Sequence, residues 1–199
     1  MAESQASAGV VQGCATPLNA DPLDGGVVSD IDFRHETESD FPRVFETQRA
    51  AFDSPVQARL VEILRASASP SLSLVATVDD ELVGHIFFSP VTIESASSFS
   101  AAQLSPVAVR PTHQGRGVGS ALIRAGLCHC SSKGWSAVFL VGNPLYYSRF
   151  GFEMARPRGL SCGGPHDPFL QVLELEPGAI SNVRGHVEFH PAFADLESE

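Results

Sequence analysis

The chain has 199 residues, of which 43% are apolar, and a formal net charge of -10. That length fits one domain with a core of its own, and no apolar run approaches the ~20 residues a membrane helix needs. Residues 1–40 hold eight Asp/Glu against one Arg, residues 186–199 hold four Asp/Glu and no Lys/Arg, and the body between carries eleven Asp/Glu and twelve Lys/Arg. The body is therefore close to neutral, and the absence of a basic surplus argues against nucleic acid as the main partner.

Residues 1–29 are rich in Ala, Ser, Gly, Asp and Pro without sustained periodicity, and read as a flexible acidic tail. The opening Met-Ala-Glu-Ser shows no basic stretch followed by an apolar core, so a cytoplasmic protein without a membrane role is expected. Residues 30–199 are expected to form a single domain. Ile31 to His35 alternates and suits a strand. Asp40 stands as an N-cap with Pro42 in the first helical turn, and Val44, Phe45, Gln48 and Phe52 keep helical spacing. Val56, Leu60, Ile63 and Leu64 mark a second helix closing near Ser69-Pro70.

Leu72 to Val78 and Leu82 to Ser89 read as an antiparallel hairpin around Asp79-Asp80-Glu81. Glu94 to Ser100 is a polar loop, and Leu104 to Val109 another strand. A helix follows with Gly119, Leu122, Ile123, Gly126, Leu127 and Cys130 inward, and Lys133-Gly134 closes it. Cys128 and Cys130 flank His129, but on a helix positions two apart point about 200° apart, so no metal site is expected there. Ser136 to Val141 is a continuous apolar run, as a strand covered on both faces would be. A short helical turn carries Tyr146, Tyr147 and Phe150. Phe152 to Ala155, Phe169 to Leu175 and Val187 to Phe189 read as closing strands.

The segment "QGRGVGS", Gln114 to Ser120, lies between a strand and a helix. That arrangement presents unpaired backbone N–H groups and a partial positive charge, which together favour an anion such as phosphate. A side chain at Gly117 or Gly119 would stand between those donors and the anion. A Walker loop would need Gly-Lys before Ser/Thr, and the chain reads Gly119-Ser120 with no lysine. A dinucleotide fingerprint would need G-x-G-x-x-G. Glycines that only permit a tight turn and close helix packing are the remaining reading.

The pattern Gln114-x-x-Gly117-x-Gly119, within "LSPVAVRPTHQGRGVGSALI" (Leu104 to Ile123), resembles the pyrophosphate loop of the GNAT superfamily of acetyl-CoA-dependent N-acetyltransferases. "VGNPLYYSRFGF" (Val141 to Phe152) resembles that family's next strand end and its Tyr-x-x-x-Gly-Phe segment. "GHIFFSPVTI", "AAFDSPVQARLVEILR" and "LELEPGA" are similar to its YhbS-like branch, and the resemblance spans residues 30–194. It implies a mixed α/β (α+β) fold: a mostly antiparallel central sheet of about 6–7 strands, helices on both faces, and a splayed pair of parallel strands at 104–109 and 136–141.

The implied activity is acetyl transfer from acetyl-CoA to a primary amine, on a small molecule or a protein, by direct attack on the thioester. A non-catalytic acyl-CoA-binding sensor or interaction module on the same fold is the alternative. By resemblance, Gln114, Gly115, Arg116, Gly117, Val118, Gly119 and Ser120 hold the pyrophosphate. Backbone groups of Val107, Ala108 and Val109, together with Asn143, meet the pantetheine arm. Tyr147 matches the tyrosine that serves the leaving thiolate, and the adjacent Tyr146 points elsewhere on the helical turn and suits packing. Many relatives place a glutamate on the strand before the loop, where this chain has Gln103 and Ser105. His85 is the best local candidate base, with a water relay as the alternative. His113 reads as a solvated loop histidine. Phe45 and Phe52 suit either an acceptor pocket or the core.

Overall fold

The computed structural model describes residues 31–96 and 98–197; the acidic tail expected at 1–29 lies outside them. In chain order the elements are β1 (Asp32–His35), α1 (Phe41–Phe52), α2 (Val56–Ser67), β2 (Leu72–Val78), β3 (Glu81–Ile93), β4 (Ala101–Val109), α3 (Val118–Ser132), β5 (Ala137–Val141), α4 (Pro144–Tyr147), β6 (Glu153–Met154), β7 (Leu160–Ser161), β8 (Leu170–Glu174) and β9 (Gly185–Glu188). The sheet runs β1-β2-β3-β4-β5-β8-β6, with β9 added to β3 and β7 to β9. Those seven strands in line match the expected sheet. β7 is not foreseeable from the sequence, since two residues carry no alternation.

Local chemistry explains most of the elements. The β2–β3 hairpin closes through Asp79 and Asp80, both left-handed at φ 49 and 64, as a two-residue turn of the right twist requires. α3 ends at Ser132, with Lys133 as its cap and Gly134 left-handed at φ 80. α1 begins after Asp40 and has Pro42 in its first turn, but Asp40 makes no side-chain cap. Its buried carboxylate instead accepts from the Arg34 guanidinium at 2.6 and 2.8 Å, and from the Thr37 backbone N–H and hydroxyl. Those bonds hold the carboxyl well below the usual carboxylate range, the Arg34 hydrogen bond being the largest cause.

The sheet is covered on both faces. α1 and α2 bury Val44, Leu60, Val61 and Leu64 against Val75, Leu82 and Phe87. Ile63, expected inward, is 45% exposed; Val61 takes that place. α3 buries Leu122, Ile123, Leu127 and Cys130 against Leu74, Ile86, Phe88 and Leu104 on the other face. Gly126 lets the helix close on the sheet, because a Cβ there would lie 2.4 Å from the Phe88 ring.

β4 and β5 are parallel but pair only at Ala101↔Ala137, Ala102↔Val138 and Gln103↔Phe139. The divergence has a visible origin. On the other edge of β4, Phe88 pairs with Leu104 and Ile86 with Val107, so Ser105 and Pro106 together oppose Phe87. A bulge of this kind bends its strand and raises its twist. It sits directly after the last β4–β5 pair and turns the rest of β4 away, opening a wedge in mid-sheet.

Candidate active site

The wedge exposes particular backbone groups. The Arg110 N–H donates to Val83 O at 2.9 Å. Antiparallel ladders alternate residue by residue, so Ala108, opposite His85, points its N–H and C=O to β3. Those of Val107 and Val109 point into the wedge. Val107 and Val109, expected to meet the pantetheine arm, are thus turned to the wedge, while Ala108, expected with them, turns its backbone groups to β3. The Val109 carbonyl already accepts from Gln114 Nε2 at 2.9 Å, which pins the start of the glycine loop to the strand end.

Beyond β4 the chain makes a short 3-10 turn over Pro111–His113 and reaches the loop. Gly115 and Gly117 are left-handed at φ 72 and 83, which side chains rarely adopt. Gly117 caps α3 without a side-chain acceptor, so the first N–H groups of a 15-residue helix stay open. Gly119 needs another explanation. It is the second residue of α3, and the left-handed turn that accounts for Gly117 does not extend to it. A Cβ there would meet only Val109 Cγ2 at 3.5 Å and the Tyr146 hydroxyl at 3.6 Å, ordinary contacts. Neither backbone conformation nor packing demands glycine at this position.

That cleft holds about 360 Å³ and is lined by Gln114, Gly115, Arg116, Gly117, Val118, Gly119 and Ser120, with Val109 and His113 on one flank and Tyr146 and Arg149 on the other. Tyr146 and Arg149 are contributions that no local pattern reveals, and the packing role expected of Tyr146 is only part of what it does. Its ring does pack, edge-on to Tyr147 at 5.0 Å and to Phe150 at 5.6 Å, and the Arg149 guanidinium lies 4.8 Å over it. That stacking holds a second cation at the cleft, which Arg116 also lines.

Tyr147 is half-buried against the C-terminal end of β5. Its ring would lie 2.4 Å from a Cβ on Gly142, and it stands edge-on to Phe152 at 5.9 Å. Burial pushes its hydroxyl pKa up to about 12, with Tyr146 adding to the shift, so it keeps its proton at neutral pH. Tyr147 does not line the loop cleft; it stands where β5 leaves the wedge. Asn143 uses Oδ1 to cap α4, accepting from the Leu145 N–H at 3.0 Å.

His85 is fully buried and engaged at both nitrogens. Gln48 Nε2 can only donate, so His85 Nδ1 accepts from it at 2.7 Å. Nε2–H then donates to Ser73 Oγ at 2.9 Å, and Ser73 donates to Glu36, which is paired with Arg65. His85 is thus a neutral link in a buried chain, outside the cleft and with no free nitrogen to take a proton from an amine. Burial, with Arg65 second, lowers its pKa to about 3. The unfolded chain takes up a proton near pH 6.5 that the folded chain refuses until about 3. The contribution is therefore complete above pH 6.5 and lost as pH falls through that window, by up to about 1.4 kcal/mol per unit. Urea midpoints should fall from pH 7 to 5, and less steeply in His85→Gln. Equal slopes would show that His85 does not carry the effect.

Comparison with known proteins agrees with this geometry. Residues 32–155 match the family model described as an acetyltransferase (GNAT) domain. An uncharacterised N-acetyltransferase of Escherichia coli, YhbS, is 35% identical over 162 residues, covering 80% of this chain and 96% of its own. The crystal structure of E. coli YhbS in complex with CoA superposes with a TM-score of 0.78 at 33% identity, covering 88% of this chain and 96% of that one. A GNAT acetyltransferase from Brucella melitensis in complex with acetyl-CoA has a TM-score of 0.68 at 34% identity, covering 82% and 97%. A strand bulged out of its parallel pairing, a glycine-lined helix start and these matches lead to one conclusion: the chain belongs to the GNAT acetyltransferase family.

Proposed function

We propose that the protein transfers an acetyl group from acetyl-CoA to a primary amine by direct attack on the thioester. The observation that carries this reading is the combination of the open β4 edge with a cleft whose Gly119 has no packing reason to be glycine. The two relatives crystallised with CoA and acetyl-CoA support it. Backbone N–H groups at the α3 start, flanked by Arg116 and Arg149, bind the pyrophosphate. Val107 and Val109 pair with the pantetheine arm as a strand would, and the Asn143 amide meets it near the end of β5.

In the reaction the amine lone pair forms the C–N bond, the C–S bond breaks, and sulfur leaves with its electron pair. The extra proton on nitrogen passes to water. Tyr147 keeps its O–H at neutral pH and donates a hydrogen bond to the departing sulfur. With a pKa pushed up to about 12, it stabilises that charge better than it surrenders a proton to a thiolate whose own pKa is near 8.5.

The test is calorimetric titration with acetyl-CoA, followed by a free-thiol assay against a panel of amines. Binding followed by amine-stimulated CoA release is the expected result. Binding without release by any amine would mean an acyl-CoA-binding module, and no binding would overturn the cofactor assignment.

A further inference from the structure

The sheet face opposite α3 carries a polar seam that the loop cleft does not use. Residues 85, 87, 89 and 91 of β3 alternate onto this face. His85 and Phe87 lie among α1 and α2, through Gln48 and the apolar cluster respectively. Val91 lies in a separate cluster with Ala101, Phe139 and Val187. Between the two clusters Ser89 faces Gln103 across β3 and β4. Both are buried, at 0% and 4% exposure, and neither Ser89 Oγ nor Gln103 Oε1 has a hydrogen-bond partner among the described residues. Buried polar atoms are rarely left so, and each such case asks for an explanation.

Position supplies one. Gln103 makes the last pair of β4 with β5, two residues before the bulge begins at Ser105, so the seam stands at the foot of the wedge. The glycine loop stands at the wedge mouth, six residues along β4, roughly 20 Å away. An arm anchored at its phosphate end on α3 and laid along β4 brings its reactive end toward Gln103.

Resting on the acetyl-transfer reading, we propose that Ser89 Oγ and Gln103 Oε1 form the amine subsite, and that the acceptor is a weakly basic amine such as an α-amino group. Both oxygens accept N–H hydrogen bonds, and neither carries a charge to balance an ammonium. Their neighbours in register, Phe87, Val91, Ala101 and Phe139, are apolar and buried. The titratable group on the same stretch of β3 is His85, held neutral. Glu46 and Arg49 on α1 and Glu62 on α2 are exposed, while Arg65 pairs with Glu36. Such a seam takes the amine as its free base. At pH 7 an α-amino group of pKa about 8 is free in about one molecule in ten, and an alkylamine of pKa about 10.4 in about one in 2,500.

The experiment measures CoA release by the full chain, saturated with acetyl-CoA, with an amino-acid amide and a primary alkylamine of similar size as acceptors. At pH 7 the amide is favoured by about a hundredfold or more, and the gap narrows as pH rises toward 10. Ser89→Ala and Gln103→Met each raise the amine KM about tenfold, the loss of one hydrogen bond, with acetyl-CoA affinity unchanged. Ser89→Ala removes a single oxygen and keeps the variant folded. An unchanged amine KM in folded Ser89→Ala, or a parent enzyme that prefers the alkylamine, overturns the subsite while leaving acetyl transfer intact. A parent that releases CoA with no amine at all overturns the acetyl-transfer reading and this one with it.

Discussion

Gly117→Val weakens acetyl-CoA binding by at least about a hundredfold, close to 3 kcal/mol. Two effects add. The N-cap backbone is left-handed at φ 83, where a side chain costs roughly 1–2 kcal/mol, so the loop relaxes away from its geometry. The new methyls also stand between the open α3 donors and the phosphate, and a hydrogen bond to a charged group is worth about 1.5–3 kcal/mol. The loop lies at the surface, beyond the core of α3, so the domain stays folded. Calorimetry on the variant, with a urea melt beside it, separates the two. A folded variant that binds as tightly as the parent would show that the phosphate lies elsewhere.

Tyr147→Phe lowers kcat by about 10–100-fold with little change in acetyl-CoA affinity. The ring still fills the space over Gly142 and against Phe152, so the change removes a hydroxyl and little else. What is lost is a hydrogen bond to a charge that exists only as the C–S bond breaks, worth about 1.5–3 kcal/mol in the transition state. Steady-state kinetics decide the matter. Full activity in the phenylalanine variant returns Tyr147 to the packing of α4. A parallel loss of affinity would mean that the hydroxyl binds cofactor and does not serve the leaving group.

The two substitutions differ in how much the sequence says about them. Gly117 is legible as a left-handed cap because a glycine at a strand-to-helix junction has few uses, and the local pattern suggests an anion there. Tyr147 is legible through its spacing to Gly151 and Phe152, while the side of the wedge it occupies comes from the fold. Tyr146 shows the limit of that route. Its place on a helical turn argues for packing alone, yet Tyr146 lines the loop cleft as well as packing on Tyr147 and Phe150.

His85 fails as a base for a related reason. Its alternation on a strand shows that it faces inward, but not that Gln48 and Ser73, 37 and 12 residues away, occupy both nitrogens. Asp40 has the residue type and position of a cap, and Arg34 takes its carboxylate instead. The seam of Ser89 and Gln103 is out of reach of any local pattern. It depends on the β3–β4 register, which the bulge at 105–106 shifts by one residue. The strands, α3 and the hairpin turn are readable because each rests on neighbouring residues alone. What escapes depends on partners far apart in the chain.

The bulge that opens the wedge has one more effect. Outer edges of a sheet can be guarded by charge, proline or a covering loop, but this edge must stay bare to receive its ligand. The N–H groups of Val107 and Val109 and the Val107 carbonyl, which would pair with pantetheine, would pair as readily with an extended peptide, while the Val109 carbonyl is already taken by Gln114. A ligand laid along β4 would therefore also cover a mid-sheet edge that is otherwise a template for a further strand.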